Sequence, residues 1–151
     1  MPPKPHSYTC DLTWTGAAQG PATDIASFSR AFEARYGDKV IAGSADPNFK
    51  GDASRLNPEE LLVSAVASCH MLTWLYLAAR AGIGVVSYRD RAEATLSWIG
   101  DTYAITAMTL HPEVVLVPGA DAAKAASLHE LAHQQCFIAR SVNFPVTVAH
   151  G

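Results

Sequence analysis

The order of predicted elements along this 151-residue chain indicates an α+β fold. A long apolar helix occupies the middle, β-type segments lie on both sides of it, and a second helix comes near the end. The resulting order, βββ-α-ββ-α-β, lacks the regular strand-helix alternation of a doubly wound sheet. A chain of this length is about one domain, so residues 1–151 are predicted to form a single folding unit.

Residues 8–44 predict three short antiparallel strands, because β-forming residues are interrupted there by turn residues. The breaks are at Gly16, Gly20-Pro21 and Gly37-Asp38. The clearest strand runs from Ser27 to Tyr36. The stretch 46–56 is rich in turn formers and poor in apolar residues, so we expect a loop that leads into the central helix and is well placed to carry function.

Asn57-Pro58-Glu59-Glu60 is a strong helix start, since Asn suits the cap, Pro the first position and the acids the positive end of the dipole. The helix is expected to reach about Ala81, before Gly82. No charged residue lies between Leu61 and Ala79, so nearly every face is apolar or small. Such a helix is buried on all sides, which in a domain this small requires a second subunit.

The same run is long enough to span a membrane, and this alternative has to be weighed. Four polar residues interrupt it, and no other segment of the chain resembles a membrane protein. These residues are Ser64, Ser68, His70 and Thr73. The prediction is a buried core helix without membrane contact.

The C-terminal half predicts two long strands, 85–98 and 103–117, joined by a hairpin turn at Gly100-Asp101. Asp121 is expected to cap an Ala-rich helix that reaches Gln135. Phe144-Pro145 then introduces a last short strand, 146–149.

The composition argues against several classes of protein. The net charge is −3 and the eleven Lys and Arg residues are scattered, which argues against a nucleic-acid partner. The N-terminal residues lack the pattern of a secretory signal or a lipidation site, so a cytoplasmic location is expected. Three cysteines in a reducing compartment do not indicate a disulfide framework, so their interest is chemical.

Cys69 lies in the middle of the apolar helix, between Ser68 and His70. Burial alone would raise the pKa of its thiol, so reactivity requires a cation or hydrogen-bond donors that favour the thiolate. The candidate cations are Arg30 on the second strand and Arg55 on the loop. His70 points about 100° away on the helix, so contact with the sulfur cannot be assumed.

The other two cysteines carry weaker signals. Cys136 ends the second helix, one turn after His133. Cys10 lies on the first strand without a cation nearby in sequence and is interpreted as structural.

His129-Glu130-x-x-His133 matches the zinc-hydrolase pattern of two imidazoles and a glutamate on one helical face. No Asp or Glu follows Glu130, and the Gly-and-His continuation of the longer motif is absent. A third ligand from elsewhere in the chain stays open, with Cys136 and Cys69 as options. The favoured interpretation of the motif is a solvated helix face without a metal.

The run from Asn57 to His70 resembles the hallmark of the OsmC/Ohr family, the osmotically inducible and organic hydroperoxide resistance proteins. In that family an N-P-E-x-L segment opens the central helix, and the reactive cysteine follows the glutamate by ten residues, as Cys69 follows Glu59. Cys136 resembles the family's second cysteine in position, and the element order matches across essentially the whole chain. The resemblance implies an intertwined homodimer whose central helices pack together.

The resemblance also implies peroxidase chemistry without a cofactor. The Cys69 thiolate attacks an organic (alkyl or lipid) hydroperoxide, releasing an alcohol and leaving a sulfenic acid, which Cys136 converts to a disulfide. A dithiol reductant, in the family often a lipoylated protein, then restores the thiols. Such a protein serves as an antioxidant in a stress response.

In the family an arginine paired with the glutamate of the helix start activates the thiolate, and Glu59 matches that glutamate. Ten residues place Glu59 roughly 15 Å along the helix from Cys69, so it is expected to act through an arginine or from the partner subunit. The first strand lacks the arginine of the hydroperoxide-resistance branch, so Arg30 and Arg55 are nominated instead. This departure leaves open an alternative, an OsmC-fold stress or binding protein without peroxidase activity.

Overall fold

The computed structural model describes residues 1–150 and confirms the α+β class. Its strands and helices are β1 (Asp11–Trp14), β2 (Phe32–Tyr36), β3 (Lys39–Gly43), α1 (Pro58–Arg80), β4 (Val85–Asp90), β5 (Glu93–Ile99), β6 (Thr102–Leu110), β7 (Pro112–Leu116), α2 (Ala122–Gln135) and β8 (Val146–Val148). The chain divides into two compact units, Met1–Leu61 and the chain from Leu62 onward, and each is described by itself. A single folding unit for the whole chain stays a prediction.

In the first unit, β1, β2 and β3 form the predicted antiparallel sheet, with β2 in the centre. The second strand begins at Phe32, however, and not at Ser27. The Asp24 carboxylate accepts hydrogen bonds from Ala26 N and Ser27 Oγ, which holds the chain before β2 in a turn. Arg30 therefore lies in a loop and not on the strand where the sequence places it.

The start of α1 follows the local sequence signals. The Asn57 side chain accepts a hydrogen bond from Glu60 N at 2.9 Å, and Glu60 Oε2 accepts one from Asn57 N at 3.1 Å. This reciprocal pair is a capping box that satisfies two otherwise free backbone donors. The helix ends at Arg80, and Gly82 takes a positive φ of 74° that favours glycine over other residues.

Burial along α1 is one-sided within the chain. The buried positions are Val66, His70, Trp74, Leu77 and Ala78. Leu72 and Tyr76, in contrast, are 61% and 62% exposed. Among residues 1–150, α1 is the one helix long and apolar enough to cross a membrane by length and composition, a test that core helices of soluble proteins also pass. The second subunit predicted to complete its burial stays a prediction.

In the second unit the prediction of two long strands is wrong, because four shorter strands take their place. The hairpin at Gly100-Asp101 is present between β5 and β6, but each long strand is broken into two. β4 pairs with β7 in a separate two-stranded sheet, and β8 adds to β6 in parallel. One break falls at His111, whose backbone N–H donates to the Asp90 carboxylate at 2.7 Å, directly before Pro112, which has no N–H to donate.

Two clusters of buried residues surround α1 in this unit. One joins the C-terminal half of α1 to α2, with Trp74, Leu77, Leu128 and Ala132 among its members. The other joins Val66 to Met108 and Leu110 of β6. As predicted, Asp121 caps α2, accepting a hydrogen bond from Lys124 N at 2.9 Å. The two helices are thus held against a common core, and Cys136 follows directly after α2.

Candidate active site

The structure brings Cys69 and Cys136 together, although 67 residues separate them in the sequence. Cys69 lies in the middle of α1, and Cys136 is the residue at which the chain leaves α2. The two thiols are close enough to interact, since Cys69 contributes to the raised pKa of Cys136, and both are free rather than joined in a disulfide. Cys69 is partly exposed, whereas Cys136 has no exposed surface. Cys69 is therefore the only residue of the pair with accessible surface.

Burial is the main cause that raises the pKa of the Cys136 thiol, to about 11. The Ala139 backbone N–H, which donates to the sulfur at 3.5 Å, acts in the opposite direction, and the interaction with Cys69 raises the pKa further. Cys136 is therefore a protonated thiol near neutral pH.

The third cysteine lies apart from this pair in the chain. Cys10 is exposed, directly before β1 in the first unit and not on the strand as predicted. Interaction with the Cys10 thiol is the largest cause that raises the pKa of Tyr36.

The two nominated arginines lie in the first unit, where each already has partners. The Arg30 guanidinium donates to the carbonyls of Phe28 and Ile25 and lies 3.6 Å from the centre of the Phe28 ring. Arg55 pairs with Asp52 at 3.7 Å. Their predicted role as activators of Cys69 stays a prediction.

Glu59 stands in the first turn of α1 with an unusual carboxylate. Its Oε2 atom is buried and has no hydrogen-bond partner within residues 1–150. A buried carboxylate oxygen without a partner is costly, so this atom is suited to receive a cation. That agrees with the arginine-linked role predicted for Glu59, which stays a prediction.

A buried histidine pair is the main feature that sequence reasoning missed. His70 Nε2 lies 3.1 Å from His129 Nδ1, and the two side chains are 1% and 4% exposed. The His129 ring also stacks on Trp74 and on His150, with centroids 5.1 and 4.7 Å apart. Burial is the largest cause that lowers the pKa of both His70 and His129, each to about 4. The pair is therefore neutral at pH 7.

This pair corrects the interpretation of His129-Glu130-x-x-His133 as a solvated helix face, because His129 lies in the core. Nδ1 of His129 faces His70, and its ring stacks on its neighbours. In the part of the chain that the structure describes, no three His, Cys, Asp or Glu residues are arranged to hold a metal ion. The zinc-hydrolase alternative gains no support from this geometry.

An apolar cavity of about 310 Å³ opens close to the cysteine pair. Its walls come from α1 and from the end of α2, and comprise Leu72, Thr73, Tyr76, Gln135 and Phe137. Thr73 donates a hydrogen bond to the Cys69 carbonyl at 2.8 Å, and Phe137 directly follows Cys136. Tyr76 and Phe137 thus line the cavity, while Trp74 is fully buried in the core.

The family model described as OsmC-like protein matches residues 51–151. Peroxiredoxin OsmC of Escherichia coli (strain K12) is 29% identical to the chain over 100 residues, which is 66% of this chain and 68% of that protein. The uncharacterized protein YmaD of Bacillus subtilis is 24% identical over 109 residues, covering 70% and 73% of the two chains.

Solved structures extend the likeness to nearly the whole chain. An OsmC-like protein of unknown function from Vibrio cholerae superposes with a TM-score of 0.88 at 29% identity, covering 97% of this chain and 99% of that one. An organic hydroperoxide resistance protein from Elizabethkingia anophelis gives a TM-score of 0.74 at 17% identity, with 98% and 97% covered. The second likeness shows a shared fold only.

Proposed function

This chain belongs to the OsmC-like family, and on that premise we propose that it is a thiol peroxidase that reduces organic hydroperoxides through Cys69 and Cys136. The observation that carries the proposal is the pair of neighbouring free thiols, in which Cys69 is partly exposed and contributes to the raised pKa of the buried, protonated Cys136. A two-electron oxidant that reaches Cys69 meets a nucleophilic sulfur whose neighbour can complete the reaction.

In the first step the Cys69 thiolate attacks the terminal oxygen of the hydroperoxide. The O–O bond breaks, the alkoxide takes a proton and leaves as an alcohol, and Cys69 becomes a sulfenic acid. The difference in exposure assigns the roles, since Cys69 is open to solvent and Cys136 is not. The high pKa of the Cys136 thiol also keeps that sulfur a poor nucleophile until an oxidised partner is beside it.

In the second step the Cys136 sulfur displaces the hydroxyl group from the Cys69 sulfenic acid. A disulfide forms and the hydroxyl leaves as water, taking up the thiol proton of Cys136. One thiol of a dithiol reductant, such as a lipoylated protein, then attacks the Cys69 sulfur and releases Cys136, which takes up a proton. The second thiol of the reductant attacks the mixed disulfide, which frees Cys69 and leaves the reductant as a disulfide. The reductant and the peroxide thus react at the same atom, the Cys69 sulfur.

The apolar cavity supports an organic rather than an inorganic peroxide. Phe137 is 78% exposed, and with Leu72 and Tyr76 it offers an apolar wall that gains free energy by covering an alkyl chain. Hydrogen peroxide has no group to place there. The proposed substrates are therefore alkyl or lipid hydroperoxides.

We place the protein in the cytoplasm as a homodimer. The exposed apolar side chains of Leu72 and Tyr76 on α1 support a second copy that packs beside the cavity and helps to enclose the bound substrate, because apolar side chains on a central helix gain stability when covered. The buried, unpartnered Glu59 Oε2 adds support, since a partner subunit can supply the missing cation. Analytical ultracentrifugation of the wild type and of Leu72→Glu tests this, and a wild-type monomer would refute it.

The peroxidase test begins with fully reduced protein and one equivalent of tert-butyl hydroperoxide. We expect loss of two thiols and of two hydrogen masses, with the new bond mapped to Cys69 and Cys136. Cys69→Ser should abolish peroxide consumption, and Cys136→Ser should accumulate a sulfenic acid that dimedone traps. Cys10→Ser is the matched control and should behave as the wild type. A wild-type protein that yields neither disulfide nor sulfenic acid overturns the proposal.

The second candidate function is that of an OsmC-fold stress or binding protein without peroxidase activity. It is favoured by the engagement of Arg30 and Arg55 with partners in their own unit. The rate of iodoacetamide alkylation of Cys69 against pH separates the two. A reactive thiolate at pH 6 supports the peroxidase, and a thiol that reacts only above pH 8 supports the second candidate.

A further inference from the structure

The His70–His129 hydrogen bond is a directional link between the two helices that carry the cysteines. His70 directly follows Cys69 on α1, and His129 precedes Cys136 by two helical turns on α2. The bond joins two core side chains at 3.1 Å. Most contacts around it are apolar and tolerate small displacements, whereas a hydrogen bond weakens steeply when its angle or length changes.

A second polar bond joins the same helices one turn further along. Trp74, four residues after His70, donates its indole N–H to the carbonyl of Ala125 at 3.1 Å, and Ala125 lies four residues before His129. The residue numbers rise on α1 as they fall on α2, so both bonds belong to one antiparallel register. A slip of either helix would break both bonds and leave their buried polar atoms unpaired.

The tautomer of the pair follows from its surroundings. His70 Nδ1 is buried and has no hydrogen-bond partner within residues 1–150. An unpaired acceptor is tolerated more readily than an unpaired N–H, so His70 carries its proton on Nε2 and donates it to His129 Nδ1. The titratable groups around the pair are His133 and Glu130 on α2 and His150 after β8. None of these replaces the bond between the two rings.

The register of α1 against α2 is important because a disulfide forms only within a narrow range of geometries. The Cα atoms of the two cysteines have to lie within about 7 Å, with their Cβ atoms directed toward each other. A slip of one residue along a helix moves a side chain about 1.5 Å and turns it by about 100°. Either change separates the sulfurs. Cys136 itself stands where α2 has already ended, so its position depends on how the preceding turns are anchored.

We propose that His70 and His129, supported by Trp74, are positioning residues that fix α1 against α2 in the register at which the Cys69 and Cys136 sulfurs meet. The inference rests on the proposed thiol–disulfide chemistry of that pair. The histidines take no part in bond making. They set the effective concentration of one thiol at the other, and with it the stability and rate of formation of the disulfide.

The test measures the equilibrium between the cysteine pair and oxidised dithiothreitol, with no peroxide present. His70→Leu and His129→Leu remove the bond and keep an apolar side chain in the core. Each should lower the equilibrium constant for disulfide formation about tenfold, equivalent to about 1.4 kcal/mol. The double variant His70→Gln/His129→Asn places amide groups near Nε2 and Nδ1, and should recover most of the loss.

Two further variants distinguish a loss of positioning from a general loss of stability. Leu77→Ala removes a buried side chain of the same core. It should lower stability to urea while leaving the disulfide equilibrium unchanged, as a purely structural defect would. Trp74→Phe keeps an aromatic ring but removes the N–H donor, and should lower the equilibrium constant about threefold. It also serves where a leucine variant does not fold.

The outcomes separate this proposal from the proposed function. Wild-type protein that forms no Cys69–Cys136 disulfide with oxidised dithiothreitol overturns the thiol–disulfide chemistry itself. Wild-type protein that forms it, alongside folded His70→Leu, His129→Leu or Trp74→Phe proteins with the same equilibrium constant, overturns only the positioning role. A loss in the leucine variants that the amide pair restores supports the proposal.

Discussion

Acidification should destabilise this protein through its buried histidine pair. In the folded protein the pKa of His70 and of His129 is about 4, lowered chiefly by burial, whereas in an unfolded chain both take the ordinary value near 6.5. Between these two values the unfolded state binds more protons than the folded state. The free energy of unfolding therefore falls as the pH falls from about 6.5 to about 4, and this contribution levels off below.

The magnitude follows from the same interval. Each pH unit between the folded and unfolded pKa corresponds to about 1.4 kcal/mol, so protonating one member of the pair costs about 3 kcal/mol. The two rings share one hydrogen bond, so their losses are not simply additive. A loss of about 3 kcal/mol would be a large part of the stability of a typical domain, about 5–15 kcal/mol.

The assay is urea unfolding followed by tryptophan fluorescence at a series of pH values from 7 to 4. Other titrating groups also contribute, among them Asp90, whose pKa burial raises. The double variant His70→Gln/His129→Asn supplies the control, since it lacks both imidazoles and keeps the other groups. We expect the wild type to lose about 3 kcal/mol more than this variant over the interval. Parallel curves for the two proteins would refute the reasoning.

Three other outcomes are expected. Asn57→Ala should lower the free energy of unfolding by about 1 kcal/mol in urea titrations, because it removes the capping box of α1, and Asn57→Asp should retain most of it. Leu110→Ala should cost about 2–5 kcal/mol in the same titrations, because its side chain is fully buried, and a cost below about 1 kcal/mol would contradict that packing. Phe137→Ser should lower kcat/KM for cumene hydroperoxide about tenfold and leave the value for hydrogen peroxide within about twofold, because only the larger substrate covers the cavity wall; an equal loss for both would dismiss the cavity as a substrate site.

The central helix could be predicted closely because its signals are local. Asn57, Pro58 and Gly82 act on residues within a turn of themselves, so the helix bounds follow from short sequence windows. The breaks in the long strands could not be predicted in this way. The Asp90 carboxylate, which accepts the hydrogen bond from the His111 N–H, lies 21 residues away in the sequence. No pattern in a short stretch of sequence predicts a contact at that separation.

Part of the candidate site could likewise be predicted from the sequence, and part of it could not. The cysteine pair was predicted because a family resemblance assigns both positions, and the structure places the two thiols together. The histidine pair was missed, because its members are 59 residues apart and histidine is only intermediate in its tendency to be buried, so neither residue type nor local sequence indicates the contact. Burial of a neutral histidine requires a specific acceptor or donor, and that partner is visible only in the folded chain.

The full burial of Cys136 bears on how the cysteine pair would react with small disulfides. Under the proposed chemistry, the Cys69 thiolate can exchange with oxidised glutathione to give a mixed disulfide and one reduced glutathione, whereas the buried Cys136 sulfur is out of reach of such molecules. Any such adduct forms directly beside a thiol that is able to expel it. If the proposed chemistry holds, Cys136 would displace the glutathione from Cys69, and each such adduct would end as the Cys69–Cys136 disulfide.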